Sequence, residues 1–214
     1  MDILLNHLIP HPVREIPHED SDIWEAGSVL LEKGKTYLFT APSGKGKTTL
    51  LSILYGTRND YAGKVSVDGR DISTFDDLEW SQMRKHHFST VFQGLELFDE
   101  LTAMENIMVK NRQTDYYSAA VIMELASVFD ISHHLERPAG FMSYGQKQRV
   151  AIIRALCQPF SFLFADEIFS HLDTDISETI FSVVASECQK RSAGLLFTAL
   201  HEPSSFSFDV KYRI

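Results

Sequence analysis

The nine residues APSGKGKTT at positions 41–49 constrain this chain more than any other stretch. They follow KTYLFT at 35–40, a short aromatic and β-branched run, and lead into TTLLSILYG, whose apolar residues recur at helical spacing. The unit therefore reads as strand, loop, helix. Gly44 and Gly46 leave the loop backbone free to curl its N–H groups around an anion, and a helix opening near Lys47 aims its positive end at the same point. A turn that happens to contain Gly-Lys-Thr is the bland alternative, and the flanking strand and helix patterns argue against it.

The spacing is that of a phosphate-binding loop, with Ala41 where its first glycine stands. Alanine suits that position if its φ is negative and is strained otherwise. On this reading Ala41, Pro42, Ser43, Gly44, Lys45, Gly46, Lys47, Thr48 and Thr49 surround the phosphates of the ligand. Lys47 bridges the β- and γ-phosphates, and the Thr48 hydroxyl is a ligand for Mg²⁺. Lys45 either adds charge near the phosphates or is simply solvated.

The rest of the chain alternates strand and helix patterns. GKVSVDGRDI at 63–72 places Val65 and Val67 among polar residues ahead of Asp68-Gly69, a strong hairpin signal, so a small antiparallel sheet is expected near the front. Residues 1–27, rich in proline and histidine, read as edge strands and loop. Another strand is expected at 88–92, then a long helical stretch from 103 to about 156 interrupted at Pro138-Ala139-Gly140. The continuous apolar runs at 161–165 and 195–200 are of the kind found in buried parallel strands, with a helix over 175–191 between them. The fold class is α/β: a phosphate-loop core on a mostly parallel sheet, an N-terminal antiparallel β subdomain and an inserted helical subdomain. The expected division is one domain over 1–214, with the core at about 27–93 and 158–214 and the helical part at about 94–157.

Composition narrows the functions open to such a fold. A chain of 214 residues with 20 basic and 29 acidic side chains carries a formal charge of −9, so no global positive field exists to hold a nucleic-acid backbone. A local anion site built from a few lysines and helix N-termini is unaffected by that total. Cys157 and Cys188 form no CxxC pair and read as buried thiols in a reducing compartment. Asp2 stands where a secretory leader needs basic residues, and the longest apolar run is only 119–123. A membrane role therefore requires a partner that supplies the span.

SFLFADE at 161–167 is a hydrophobic strand ending in two carboxylates. Ligands of α/β sheets gather at the carboxyl ends of strands, so Asp166 and Glu167 should lie near the phosphate loop. Asp166 suits a Mg²⁺ contact, while Glu167 suits orienting and polarising the attacking water. An ordinary acidic loop is the alternative, and the pairing with a phosphate loop weakens it.

MSYGQKQR at 142–149 resembles the signature motif of ABC-type ATPases, and the other landmarks of that family follow in order: Gln93 in VFQ for the Q-loop, Asp166-Glu167 for Walker B, SHLD at 170–173 for the D-loop, and His201 for the switch histidine. LFDELTAMENI at 97–107 looks most like the lipoprotein-release and macrolide-export group. Independently of the family, Ser143 and Gln146 form an S-x-x-Q capping box, so a helix should start there. Lys147 and Arg149 oppose its dipole, as would suit an approaching phosphate. The resemblance implies that Ser143, Tyr144, Gly145 and Gln146 contact the γ-phosphate held by a second subunit of a head-to-tail dimer, with Asp173 in the D-loop. It also implies that Gln93 senses Mg²⁺ or the lytic water and that His201 completes the catalytic set with Glu167, Lys47 and Gln93.

Three positions depart from the family pattern. Tyr144 replaces a glycine, Ile168 stands where proline is common, and Thr198 lies three residues before His201. For an adenine-stacking aromatic, Trp24 and His18 are the candidates. The pairs His86-His87 and His133-His134 lack metal-ligand spacing and read as surface residues, while Asp76, Asp77 and Glu79 read as solvated or helix N-terminal charges. The implied function is an ATP-hydrolysing cassette that dimerises on MgATP and drives a separate membrane-spanning subunit from the inner face of the membrane. The alternatives are a soluble ABC ATPase acting on a macromolecule, and a nucleotide sensor with little turnover.

Overall fold

The computed structural model describes residues 1–16, 18, 20–24, 26–169, 173–203 and 205–214. Among these, strands fall into two sheets. The first is antiparallel and holds β1 (Asp2–Pro10), β2 (Val29–Glu32), β4 (Tyr61–Val67) and β5 (Arg70–Asp71) in the order β2-β1-β4-β5. The second is parallel, with β3 (Thr36–Thr40), β6 (Phe88–Val91), β7 (Phe162–Asp166), β8 (Gly194–Ala199) and β9 (Val210–Arg213) ordered β6-β7-β8-β3-β9. The expected antiparallel subdomain and parallel core are both present. The N-terminal edge strands are not: β1 lies inside its sheet, paired to β2 on one side and β4 on the other. Its apolar side chains Ile3, Leu5 and Leu8 are fully or almost fully buried, which an edge position would not achieve. The β4–β5 hairpin turns on Asp68 and Gly69 with φ of +48° and +80°, the two left-handed residues of a primed turn.

The continuous apolar runs of the parallel strands are explained by burial on both faces. On β3, Tyr37 and Phe39 enter one core with Val65 and Leu50, while Leu38 enters the other with Ile107 and Val150. On β7, Phe162 and Phe164 join the first, Leu163 and Ala165 the second. The helix α1 (Lys47–Leu54) backs the first core, and α2 (Asp77–His86) opens with an Asp76–Glu79 capping box, so those acidic residues are helix N-terminal charges. The second core is covered by α3 (Ala103–Asn111), α4 (Ala119–Val128), α5 (Tyr144–Leu156) and α6 (Thr174–Lys190). The stretch 103–156 is thus three helices rather than one interrupted helix. Thr102, Ser118 and Ser143 begin them with side-chain caps, so each start is chemically marked. Among the described residues no helix is long and apolar enough to cross a membrane.

Candidate functional site

The loop 41–46 leaves the carboxyl end of β3, and Gly46, at φ +102°, caps α1. Gly44 is also left-handed, at +82°. Ala41 is not, so the missing first glycine costs no strain; its amide donates to the Ala199 carbonyl at 3.3 Å. Trp24 supports the loop from below, with its indole N–H donating to the Lys45 carbonyl at 3.3 Å. A Cβ on Gly46 would stand 2.9 Å from the Trp24 ring and 3.0 Å from Val13. At 3% exposure Trp24 has no face to offer an adenine ring, so it is a packing residue and not the stacking aromatic. Half-buried His18 holds the Ile16 carbonyl at 2.7 Å through Nδ1.

Across the sheet, β7 ends at Asp166 and β8 lies between β7 and β3. Lys47, 4% exposed, donates through Nζ to the carbonyls of Ala41 (2.6 Å) and Pro42 (3.0 Å) and pairs with Glu167 at 3.1 Å. Thr48 Oγ1 donates to Asp166 Oδ2 at 2.7 Å. Thr198 Oγ1 donates to Asp166 Oδ1, also at 2.7 Å, and accepts the Glu167 amide at 3.1 Å. Burial raises the Asp166 carboxyl above its ordinary range; the hydrogen bonds from Thr48 and Thr198 pull it back, and the Glu167 charge adds to the rise. Glu167 sits at φ +51°, a left-handed backbone that a non-glycine residue holds only when its surroundings impose it.

Ser43, Gly44, Gly46, Lys47, Thr48, Thr49, Gln93 and Glu167 line one cleft of about 150 Å³. Glu167 also lines a neighbouring groove of about 460 Å³ together with exposed His201. Lys47, Thr48, Gln93, Asp166 and Glu167 are therefore brought together, with His201 on the far side of Glu167. Pro42 and Lys45 complete the loop, Pro42 accepting from Lys47 and Lys45 from Trp24. The donor set of one carboxylate, one hydroxyl and one amide is all hard oxygen, which fits Mg²⁺ that takes its other ligands from phosphates and water. Among the described residues no three His, Cys, Asp or Glu side chains cluster to hold a metal unaided.

The signature residues stand elsewhere, at the start of α5. Ser143 Oγ accepts the Gln146 amide at 3.3 Å, and the Gln146 side chain accepts the Ser143 amide at 3.0 Å, completing the expected capping box. Ser143 and Tyr144 are exposed; Gly145 and Gln146 are half-buried. The Tyr144 hydroxyl donates to the Gln93 carbonyl at 2.7 Å, joining the signature helix to the segment after β6. Lys147 and Arg149 are engaged within the chain, Lys147 with Asp99 at 2.8 Å and Arg149 with the Phe129 and Asp130 carbonyls at 3.0 Å. Their opposition to the helix dipole is accounted for by these partners, without a phosphate. Asp173 is the exposed N-cap of α6; Ser170, His171 and Leu172 of the D-loop lie outside the described residues. His87 and His133 are exposed and His86 and His134 half-buried, as surface residues should be.

Sequence reasoning missed what Thr198 and Trp24 do. A lone hydroxyl residue in the apolar strand GLLFTA was the available signal for Thr198; for Trp24 no local signal existed, because the Lys45 carbonyl that it meets lies 21 residues along the chain.

The ABC transporter family profile matches residues 25–170. The lipoprotein-releasing system ATP-binding protein LolD of Granulibacter bethesdensis is 31% identical over 180 residues, 81% of this chain and 76% of that protein. An uncharacterised ABC transporter ATP-binding protein of Thermotoga maritima is 36% identical over 184 residues, 76% of each. The dimeric structure of MJ0796, a bacterial ABC transporter cassette, shares the fold with a TM-score of 0.76 at 22% identity, over 94% of this chain and 88% of that one.

Proposed function

The chain belongs to the ABC transporter family as an ATP-binding subunit with ATPase activity, and from that premise we propose that it hydrolyses MgATP in the cleft between the 41–49 loop and Asp166-Glu167, dimerises on nucleotide and drives a separate membrane-spanning partner. The observation that carries this reading is the meeting of Lys47, Thr48, Gln93, Asp166 and Glu167 at the carboxyl ends of β3 and β7.

Lys47 and the loop amides lie on the β- and γ-phosphates and offset charge that develops there in the transition state. Thr48, Asp166 and Gln93 would hold Mg²⁺, which would neutralise charge on the phosphate oxygens. Glu167 orients and polarises the attacking water, and His201, across the adjoining groove, secures that arrangement. Ser143, Tyr144, Gly145 and Gln146 offer the capped start of α5 to the nucleotide of a second copy, with Asp173 at the same interface. The core is residues 27–93 and 158–214, and the 94–157 insertion carries the signature.

Similarity to lipoprotein-releasing ATP-binding proteins supports a membrane-spanning partner and a peripheral place on the inner membrane face. Replacing Glu167 with Gln keeps the side-chain shape and removes the carboxylate. ATP binding should persist and a dimer accumulate while turnover drops by about 100-fold or more. Phosphate release at the unmodified rate in Glu167→Gln would overturn the assignment.

A further inference from the structure

Strand β8 separates the two halves of the candidate site, since β3 delivers the phosphate loop on one side and β7 the acidic pair on the other. On β8, Thr198 is in register with Phe39 on β3 and with Asp166, the last residue of β7. It is also the one polar side chain in GLLFTA, and it is fully buried. A buried β-strand position between aromatic and aliphatic neighbours suits valine, which has the same shape without a hydroxyl to desolvate. The hydroxyl at this place answers to a polar requirement.

That requirement is visible in its two hydrogen bonds. Thr198 Oγ1 donates to Asp166 Oδ1 at 2.7 Å, while Thr48 donates to Oδ2, so each carboxylate oxygen is anchored and the orientation of the group is set, with lone pairs left for a metal. The same oxygen accepts the Glu167 amide at 3.1 Å, at the residue whose φ is +51°. One hydroxyl therefore fixes the side chain of Asp166 and the backbone of Glu167. Lys47 holds the other end of Glu167 at its carboxylate.

We propose that Thr198 is a positioning residue that sets the Asp166 carboxylate for the metal–nucleotide complex and the Glu167 backbone for hydrolysis. The inference rests on the roles given above to Asp166 and Glu167. Thr198 itself touches no phosphate; it acts through its two neighbours, as outer partners of metal-binding carboxylates do.

The test uses the full chain and three forms of it, unmodified, Thr198→Val and Thr198→Ser. A fluorescent ATP analogue is titrated in EDTA and in Mg²⁺, and kcat and KM are measured for ATP. Thr198→Val should bind the analogue in EDTA within about twofold of the unmodified chain, because the loop amides and Lys47 are untouched. The gain in affinity on adding Mg²⁺, and kcat, should each fall by about 10- to 100-fold, with KM changed far less. Thr198→Ser keeps the hydroxyl and should restore both. The inference is overturned if Thr198→Val matches the unmodified chain, if binding in EDTA falls as far as binding in Mg²⁺, or if Ser rescues no better than Val. Failure of the unmodified chain to bind or hydrolyse ATP would overturn the proposed function itself, and the role of Thr198 with it.

Discussion

Lys47 and Glu167 form an ion pair that is nearly dry, at 4% and 11% side-chain exposure. Charges withdrawn from water need partners, and Lys47 finds three: two carbonyls and the Glu167 carboxylate. Lys47→Met removes the ammonium while filling most of its volume. It should lower ATP affinity by about tenfold or more, read by nucleotide titration, if the phosphates lie against the Lys47 ammonium as proposed.

The two cysteines make the opposite case, groups kept neutral by burial. Burial pushes the Cys157 and Cys188 thiols up to about 12 from an ordinary value of 9.0. At pH 8 about one thiol in ten thousand is ionised, so iodoacetamide should label neither in the folded chain and both in urea. Because the folded state holds these protons more tightly than the unfolded one, their contribution to stability is complete below pH 9 and is lost as pH rises toward about 12. The urea midpoint should therefore fall between pH 8 and pH 10.5, and replacing both thiols with alanine should flatten that part of the dependence.

Among the elements, the loop between β3 and α1 shows how two left-handed glycines differ in what they permit. A Cβ on Gly44 would meet nothing within 4 Å, whereas one on Gly46 would press on Trp24 and Val13. Gly44→Ala should cost about 1–2 kcal/mol of backbone strain and leave the loop in place. Gly46→Ala adds a clash beneath the start of α1 and should abolish the ATP-induced rise in melting temperature, which Gly44→Ala only reduces. The sequence shows the need for glycine at both positions and not the difference between them. Trp24 lies more than twenty residues upstream, and nothing local ties it to the loop. By contrast, the Asp68-Gly69 turn and the cap at Ser143 were legible, since a turn or cap is decided by residues within three or four positions of one another.

At the scale of the whole molecule, the proposed sharing of a nucleotide between the loop cleft of one copy and the exposed Ser143 and Tyr144 of another makes ATP part of a dimer interface. Light scattering on Glu167→Gln with MgATP should show the mass doubling from 24.3 kDa, and the double variant Glu167→Gln with Gly145→Trp, which fills the helix start, should stay monomeric. Helix α5 is tied to the segment that follows β6. Tyr144 reaches Gln93, Lys147 reaches Asp99, and buried Arg154 donates to Leu95 and Glu96 at 2.6 and 2.5 Å. Leu95 and Glu96 both carry positive φ, so that segment is held bent by one helix.

The sequence alone determined the elements and the chemistry they can hold: a loop that wraps an anion, a strand ending in two carboxylates, a capped helix and an apolar pattern demanding burial on two faces. These are properties of neighbouring residues, written in dihedral preference, spacing and periodicity. Only the tertiary structure decided that β1 is an interior strand, that Trp24 carries the loop, and that β8 places Thr198 between the two halves of the site. The reason is distance along the chain: Thr48 and Asp166 are 118 residues apart and Asp166 and Thr198 are 32 apart, and strand order, which no local pattern encodes, brings each pair to 2.7 Å.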